Sequence, residues 1–250
     1  MKKILFIIAA LTLSVPGFAQ SDDGEDVIAQ GKEKPKTKKN AFFLGPKVGG
    51  TMTTMTQPDD GKLYDGPGFG FSGGLAFQAR FGKANENEGT DPGTGYFGVG
   101  LEMKYKLNSV KTLGTDESGN ENAKMSVGYF EAPVFVHIYP MAKSPSGISP
   151  LYVELGVAFA GTLSRSPESL TLDNPSDYYS SVTYNLDANG SKLKGMDIRP
   201  FAGIGYTIPE TRLDINVRYF IGTSKLAGNF PCRMNNLEVS LAWLFNIGKF

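Results

Sequence analysis

The segment Arg212-Leu213-Asp214-Ile215-Asn216-Val217-Arg218-Tyr219 alternates strictly, with odd positions apolar and even positions polar or charged. A strand sends successive side chains to opposite faces, so this segment has one apolar face and one polar face. The same alternation recurs in about eight stretches of about 10 to 15 residues from Ala41 onward, divided by Gly, Pro, Asn and Asp. Phe69, Phe71, Leu75 and Phe77 oppose Ser72, Ala76, Gln78 and Arg80. Phe97, Val99, Leu101, Met103 and Tyr105 oppose Gly98, Gly100, Glu102, Lys104 and Lys106. Leu151, Val153, Leu155, Val157 and Phe159 oppose Tyr152, Glu154, Gly156, Ala158 and Ala160, and Leu237, Val239, Leu241 and Trp243 oppose Glu238, Ser240 and Ala242.

A soluble sandwich also alternates, so strand length and the character of the polar face decide. Stretches this long exceed the ~5–6 residues of globular strands and match the ~9–11 that a tilted strand needs to cross a bilayer. The polar face mixes Gly and Ala with Glu, Lys and Arg, which suits the inside of a narrow barrel. The expected fold is all-β: an eight-stranded antiparallel up-and-down transmembrane β-barrel. Its connections alternate. Thr56 to Pro67, Asn108 to Lys124, Ser164 to Lys192 and Thr223 to Asn235 form the longer set, assigned to the cell exterior. Gly82 to Gly93, Pro140 to Ser149 and Thr207 to Thr211 form the other.

The chain's first residues add a compartment. Lys2-Lys3, the apolar run Ile4 to Leu13 and Pro16-Gly17-Phe18-Ala19 have the three-part layout of a secretory signal peptide over residues 1–19. Residues 20–40 hold an acidic patch (Asp22, Asp23, Glu25, Asp26) and a basic one (Lys32 to Lys39), and read as a disordered periplasmic leader. Residues 41–250 form the barrel. A secreted chain with lipid-facing strands belongs in a bacterial outer membrane. Its partners are then outer-membrane lipid and the barrel-assembly machinery, which reads the terminal strand ending in Phe250, with an extracellular or periplasmic protein for the loops or leader.

Composition removes other classes. Lys+Arg and Asp+Glu stand at 25 each, so no net field draws nucleic acid. The single Cys, Cys232, sits in a loop-like stretch without redox or zinc spacing. The inward face collects Lys47, Arg80, Lys104, Lys106, Arg199 and Arg218 against Glu102, Glu131, Glu154, Asp197, Asp214 and Glu238. Six charges of each sign in an interior only as wide as its side chains read as an interlocking ion-pair plug. An ion filter would want rings of one sign. The one histidine, His137, has no inward serine beside it, so a hydrolytic triad is not expected. No enzyme activity, cofactor or metal is expected.

Four segments in order carry a family resemblance. Tyr129-Phe130-Glu131-Ala132-Pro133-Val134-Phe135-Val136 resembles the Y-x-E-x-P-hydrophobic strand of the PorT-type outer-membrane β-barrel proteins of Bacteroidetes. Leu151 to Gly156, Arg199 to Tyr206 and Val217-Arg218-Tyr219 resemble its later strands. The resemblance covers most of Phe42 to Phe250 and implies an eight-stranded outer-membrane barrel, in a family whose founding member is linked to protein secretion. Three functions stay open: a non-enzymatic barrel with exterior loops for recognition or a structural role, a secretion accessory acting through its leader, and a small-solute channel.

Overall fold

The computed structural model describes residues 40–56, 64–81, 97–141, 151–173, 181–185, 196–208, 211–224 and 232–249. The expected signal peptide, all of the leader except Asn40, and Phe250 lie outside these residues. In chain order the strands are β1 (Ala41–Met55), β2 (Tyr64–Phe81), β3 (Phe97–Thr112), β4 (Thr115–Asp116), β5 (Lys124–Ile138) and β6 (Leu151–Ser166). They continue with β7 (Ser169–Asp173), β8 (Ser181–Asn185), β9 (Asp197–Ile208), β10 (Leu213–Phe220), β11 (Met234–Trp243) and β12 (Phe245–Lys249).

The main sheet runs β11-β10-β9-β6-β5-β3-β2-β1-β12, and β1 also pairs with β11. Since β12 continues β11 past Leu244, the sheet closes on itself as an antiparallel barrel of eight strands. Closure leaves no unpaired edge, which lipid could not satisfy.

Burial follows the alternation but with inverted chemistry. On β10, Ile215, Val217 and Tyr219 are exposed while Asp214, Asn216 and Arg218 are buried. Phe69 is 70% exposed and Arg218 0%. A protein in water would hide the first and show the second. The outward apolar run on β3, from Phe97 to Leu107, spans about 34 Å along the strand. At a tilt of about 40° that becomes about 25 Å, the height of the apolar band of an outer-membrane barrel.

The strands reach further at one end than the alternation predicts. Strand β2 already starts at Tyr64, β3 and β5 stay paired out to Lys111 and Lys124, and β6 runs to Ser166. Beyond them β4, β7 and β8 form a small three-stranded sheet. Segments expected as loops are therefore partly strand. Their stabilisation comes from Met55, Val110, Met125, Leu170 and Met234, which form a buried apolar cluster inside this end. Turn-like composition in the surrounding residues hides that cluster from a reading of the sequence.

Candidate functional site: the barrel interior

The inward positions come from every strand, and their register sets three levels of polar groups below the apolar cluster. At the level nearest the connection from β9 to β10, Arg80 lies 3.6 Å from Asp214 and donates to Gln78 and Thr207 at 3.1 Å each. Thr207 and the Tyr152 hydroxyl donate to Asp214 at 2.8 and 2.6 Å. His137 Nε2 meets Glu154 at 2.6 Å, its Nδ1 faces the Tyr139 hydroxyl at 3.3 Å, and its ring stacks on Tyr152.

At mid-barrel Arg218 makes two parallel 2.7 Å bonds to Glu102, the geometry that suits a guanidinium best. It also donates to Glu154 at 2.8 Å, and Lys47 donates to Glu102 at 2.7 Å. The Phe135 ring lies 4.8 Å from the Arg218 guanidinium carbon, so the buried cation has aromatic cover as well.

Above this, Lys104 and Lys106 both pair with Glu238, at 2.6 and 3.0 Å, and both lie 3.5 Å from Glu131. Arg199 meets Asp197 at 2.7 Å and Glu131 at 3.5 Å, with its guanidinium over the Tyr129 ring. Lys106 sits 3.6 Å from the centre of the Phe220 ring.

All twelve charges named from the sequence are buried. Ten of them join through shared carboxylates into one network: Lys47, Glu102, Lys104, Lys106, Glu131, Glu154, Asp197, Arg199, Arg218 and Glu238. Arg80 and Asp214 form a separate pair, tied to the rest through Tyr152 stacked on His137. Buried charges of this number persist only when each has a partner, and the interdigitation of opposite signs supplies one.

The neutral residues that complete the site escape a search for charges. Tyr152, Tyr139, Thr207 and Gln78 hold Asp214, His137 and Arg80, while Phe135 and Phe220 cover Arg218 and Lys106. Phase along the strand was the available signal, since all share the inward positions. Room for the rings comes from glycine on the neighbouring strand: a Cβ on Gly205 would overlap the Tyr152 ring, and one on Gly100 the Phe135 ring.

Cys232, read from the sequence as part of a loop, is buried beside Met234 in the apolar cluster, and burial pushes its thiol up to about 11. In the hairpin after β4, Asp116 accepts bonds from the Asn120 side chain and from the Asn120 and Ser118 amides, which hold its carboxyl below the usual range. Among the described residues no three His, Cys, Asp or Glu side chains converge as metal ligands. His137 has both ring nitrogens engaged, one by a carboxylate and one by a phenol. Nothing there activates a nucleophile.

A barrel with lipid-facing strands and a polar, filled interior can be compared with known proteins. The sequence profile described as outer membrane protein β-barrel domain matches residues 18–228. The chain belongs to this family. Its place is the bacterial outer membrane. The matched region ends before β11 and β12, so the closing strand comes from the structure. No curated protein matches the sequence significantly. Among solved structures, the chain is similar to Neisserial surface protein A, with 14% identity, 82% of this chain and 97% of that one covered, and a TM-score of 0.40. It is also similar to Ail, the attachment invasion locus protein of Yersinia pestis, crystallised with the heparin analogue sucrose octasulfate. That match has 13% identity, covers 82% of this chain and 99% of Ail, and has a TM-score of 0.41.

Proposed function

We propose that this outer-membrane barrel is a non-enzymatic scaffold, closed to solute flow, that presents the extended end of its wall and its longer loops outside the cell. The observation that carries the reading is the interior itself. Ion pairs run from Lys47 on β1 through Glu102, Lys104 and Glu238 to Lys106, Glu131 and Arg199, linking five strands, and Arg218 on β10 meets Glu102 on β3 across the barrel. An aqueous path would have to open that network and also pass the apolar cluster of Met55, Met125, Leu170 and Met234. Among the described residues the longer ladders and the β4-β7-β8 sheet lie at one end, which supports assigning that end to the exterior. Surface recognition by the loops, with Tyr178, Tyr179 and Tyr184 among polar residues, extends this reading. Tyr178 and Tyr179 lie outside the described residues. In planar bilayers the refolded protein is expected to give no stable conductance. Ohmic openings that persist at constant voltage would overturn the closed interior.

A PorT-type assignment within Bacteroidetes is supported by where the resembling segments point. Tyr129 and Glu131, then Glu154, Arg199 and Arg218, are all inward members of the interior network. The motif therefore consists of the residues this interior needs. On that assignment a secretion-accessory role acts through the charged leader after the signal peptide. Removing residues 21–40 is then expected to abolish the role while the barrel still folds. Full activity in the truncated protein would refute action through the leader.

A further inference from the structure

On its lipid-facing side, the β3–β5 ladder changes chemistry in an ordered way toward the extended end. Apolar residues continue through Tyr105 and Phe130, which sit directly opposite each other, to Leu107 opposite Gly128. The Tyr105 hydroxyl reaches over Gly128, where a side-chain Cβ would lie 2.6 Å from it. Next in the same phase come Ser109, which is buried, and half-buried Ser126, paired across the strands and hydrogen-bonded at 2.9 Å. The last rung is Lys111 opposite Lys124, both exposed. The exposed side chains of the ladder thus pass from apolar groups to a pair of ammonium groups, as hydrocarbon gives way to headgroup in a membrane.

Two like charges directly opposite on one face of a sheet destabilise it. Among the described residues neither lysine has an ion pair, although Asp65 on β2 faces outward next to the Gly66–Lys111 rung. An anion held between the two ammonium groups would turn this repulsion into attraction. Lys111 stands about 14 Å along the strand from Leu107, the end of the apolar run, or about 10 Å in height at the strand tilt, which places it above the hydrocarbon. We propose that Lys111 and Lys124 form a phosphate site for a phosphorylated lipid of the outer leaflet. The inference rests on the orientation proposed above, with the extended end outside.

The test uses the full chain refolded in zwitterionic detergent and titrated with three probes: lipid A carrying its phosphates, dephosphorylated lipid A, and inorganic phosphate. The expected result is retention of the phosphorylated lipid alone. Near a charged membrane surface each lysine contributes about a fivefold gain in binding. Lys111→Gln and Lys124→Gln are therefore each expected to weaken retention about fivefold, and the double variant about thirtyfold. Lys124→Glu separates binding from folding, because it sets opposite charges across the rung. It should keep the heat-modifiable gel band of the folded barrel and lose the lipid. Equal retention of dephosphorylated lipid A, or unchanged retention by the double variant, overturns the site. Inorganic phosphate competing at the lipid's own concentration overturns the lipid source. A tag inserted at Gly119 tests orientation independently, since it should be reached by antibody on intact cells. A tag reached only after the membrane is opened overturns the orientation and the outer-leaflet source together.

Discussion

Arg218→Met is expected to leave the barrel largely unfolded under conditions where the parent chain folds completely. Arg218 lies at mid-barrel, 0% exposed, and binds two carboxylates: Glu102 through two bonds and Glu154 through another. Methionine fills much of the same volume, so the change is chiefly one of charge. It removes the guanidinium from two buried carboxylates, of which Glu102 keeps Lys47 and Lys104 while Glu154 keeps, among the described residues, His137 alone. Breaking a buried pair from one side costs about 3–5 kcal/mol, a large part of the stability of an ordinary domain. Denaturant titration in lipid vesicles, read by the gel shift of the folded form, measures the loss. Arg218→Lys should be intermediate, because one ammonium cannot make the parallel pair of bonds to Glu102. The decisive control is Arg218→Met combined with Glu154→Gln and Glu102→Gln. Replacing an ionic cluster by neutral groups is often tolerated, so this triple variant should recover much of the lost stability. A single variant as stable as the parent would mean that the network does not hold the interior together.

The faces of the strands and the membership of the ion network were legible in the sequence because a period of two is a local property. Once Arg212 to Tyr219 fixes one strand's inward phase, Glu238, Arg199 and Glu154 follow from the same rule on neighbouring strands. Partner choice was not legible. Glu102 on β3 meets Arg218 on β10 across the lumen, a contact set by barrel width and strand stagger. The extended end was missed for a different reason. Residues 108–112 and 124–128 include Asn, Ser, Lys and Gly, and look like turn material. They stay in the ladder because Val110, Met125 and Val127 pack inside against Leu170, Met234 and Cys232, which are distant in sequence.

Where the sheet closes, register depends on backbone spacing, and Gly45 is the position that shows it. The ladder between β1 and the last strand is regular from Met55 to Lys47 and resumes at Leu44, passing over Gly45 and Pro46. Pro46 has no N–H to donate, and opposite it the last strand is interrupted at Leu244, whose amide bonds Arg212 on the other side at 3.0 Å. With that rung lost, the two backbones approach closely. A Cβ on Gly45 would overlap the carbonyl oxygen of Trp243, a main-chain atom that cannot rotate away as a side chain can. Gly45→Ala is therefore expected to push the first and last strands apart at the seam, costing about 1–3 kcal/mol or more. Gly45→Val should prevent closure altogether, giving a chain that inserts poorly and runs as unfolded without boiling. Gly50 provides the contrast on the same strand, because a Cβ there would meet nothing within 4 Å. Gly50→Ala should fold like the parent. Should Gly45→Val and Gly50→Ala prove equally stable, the close approach at the seam is not what sets closure. A defect confined to Gly45 would instead identify the seam as the point where an open sheet becomes a barrel, the step that lipid requires of every strand edge.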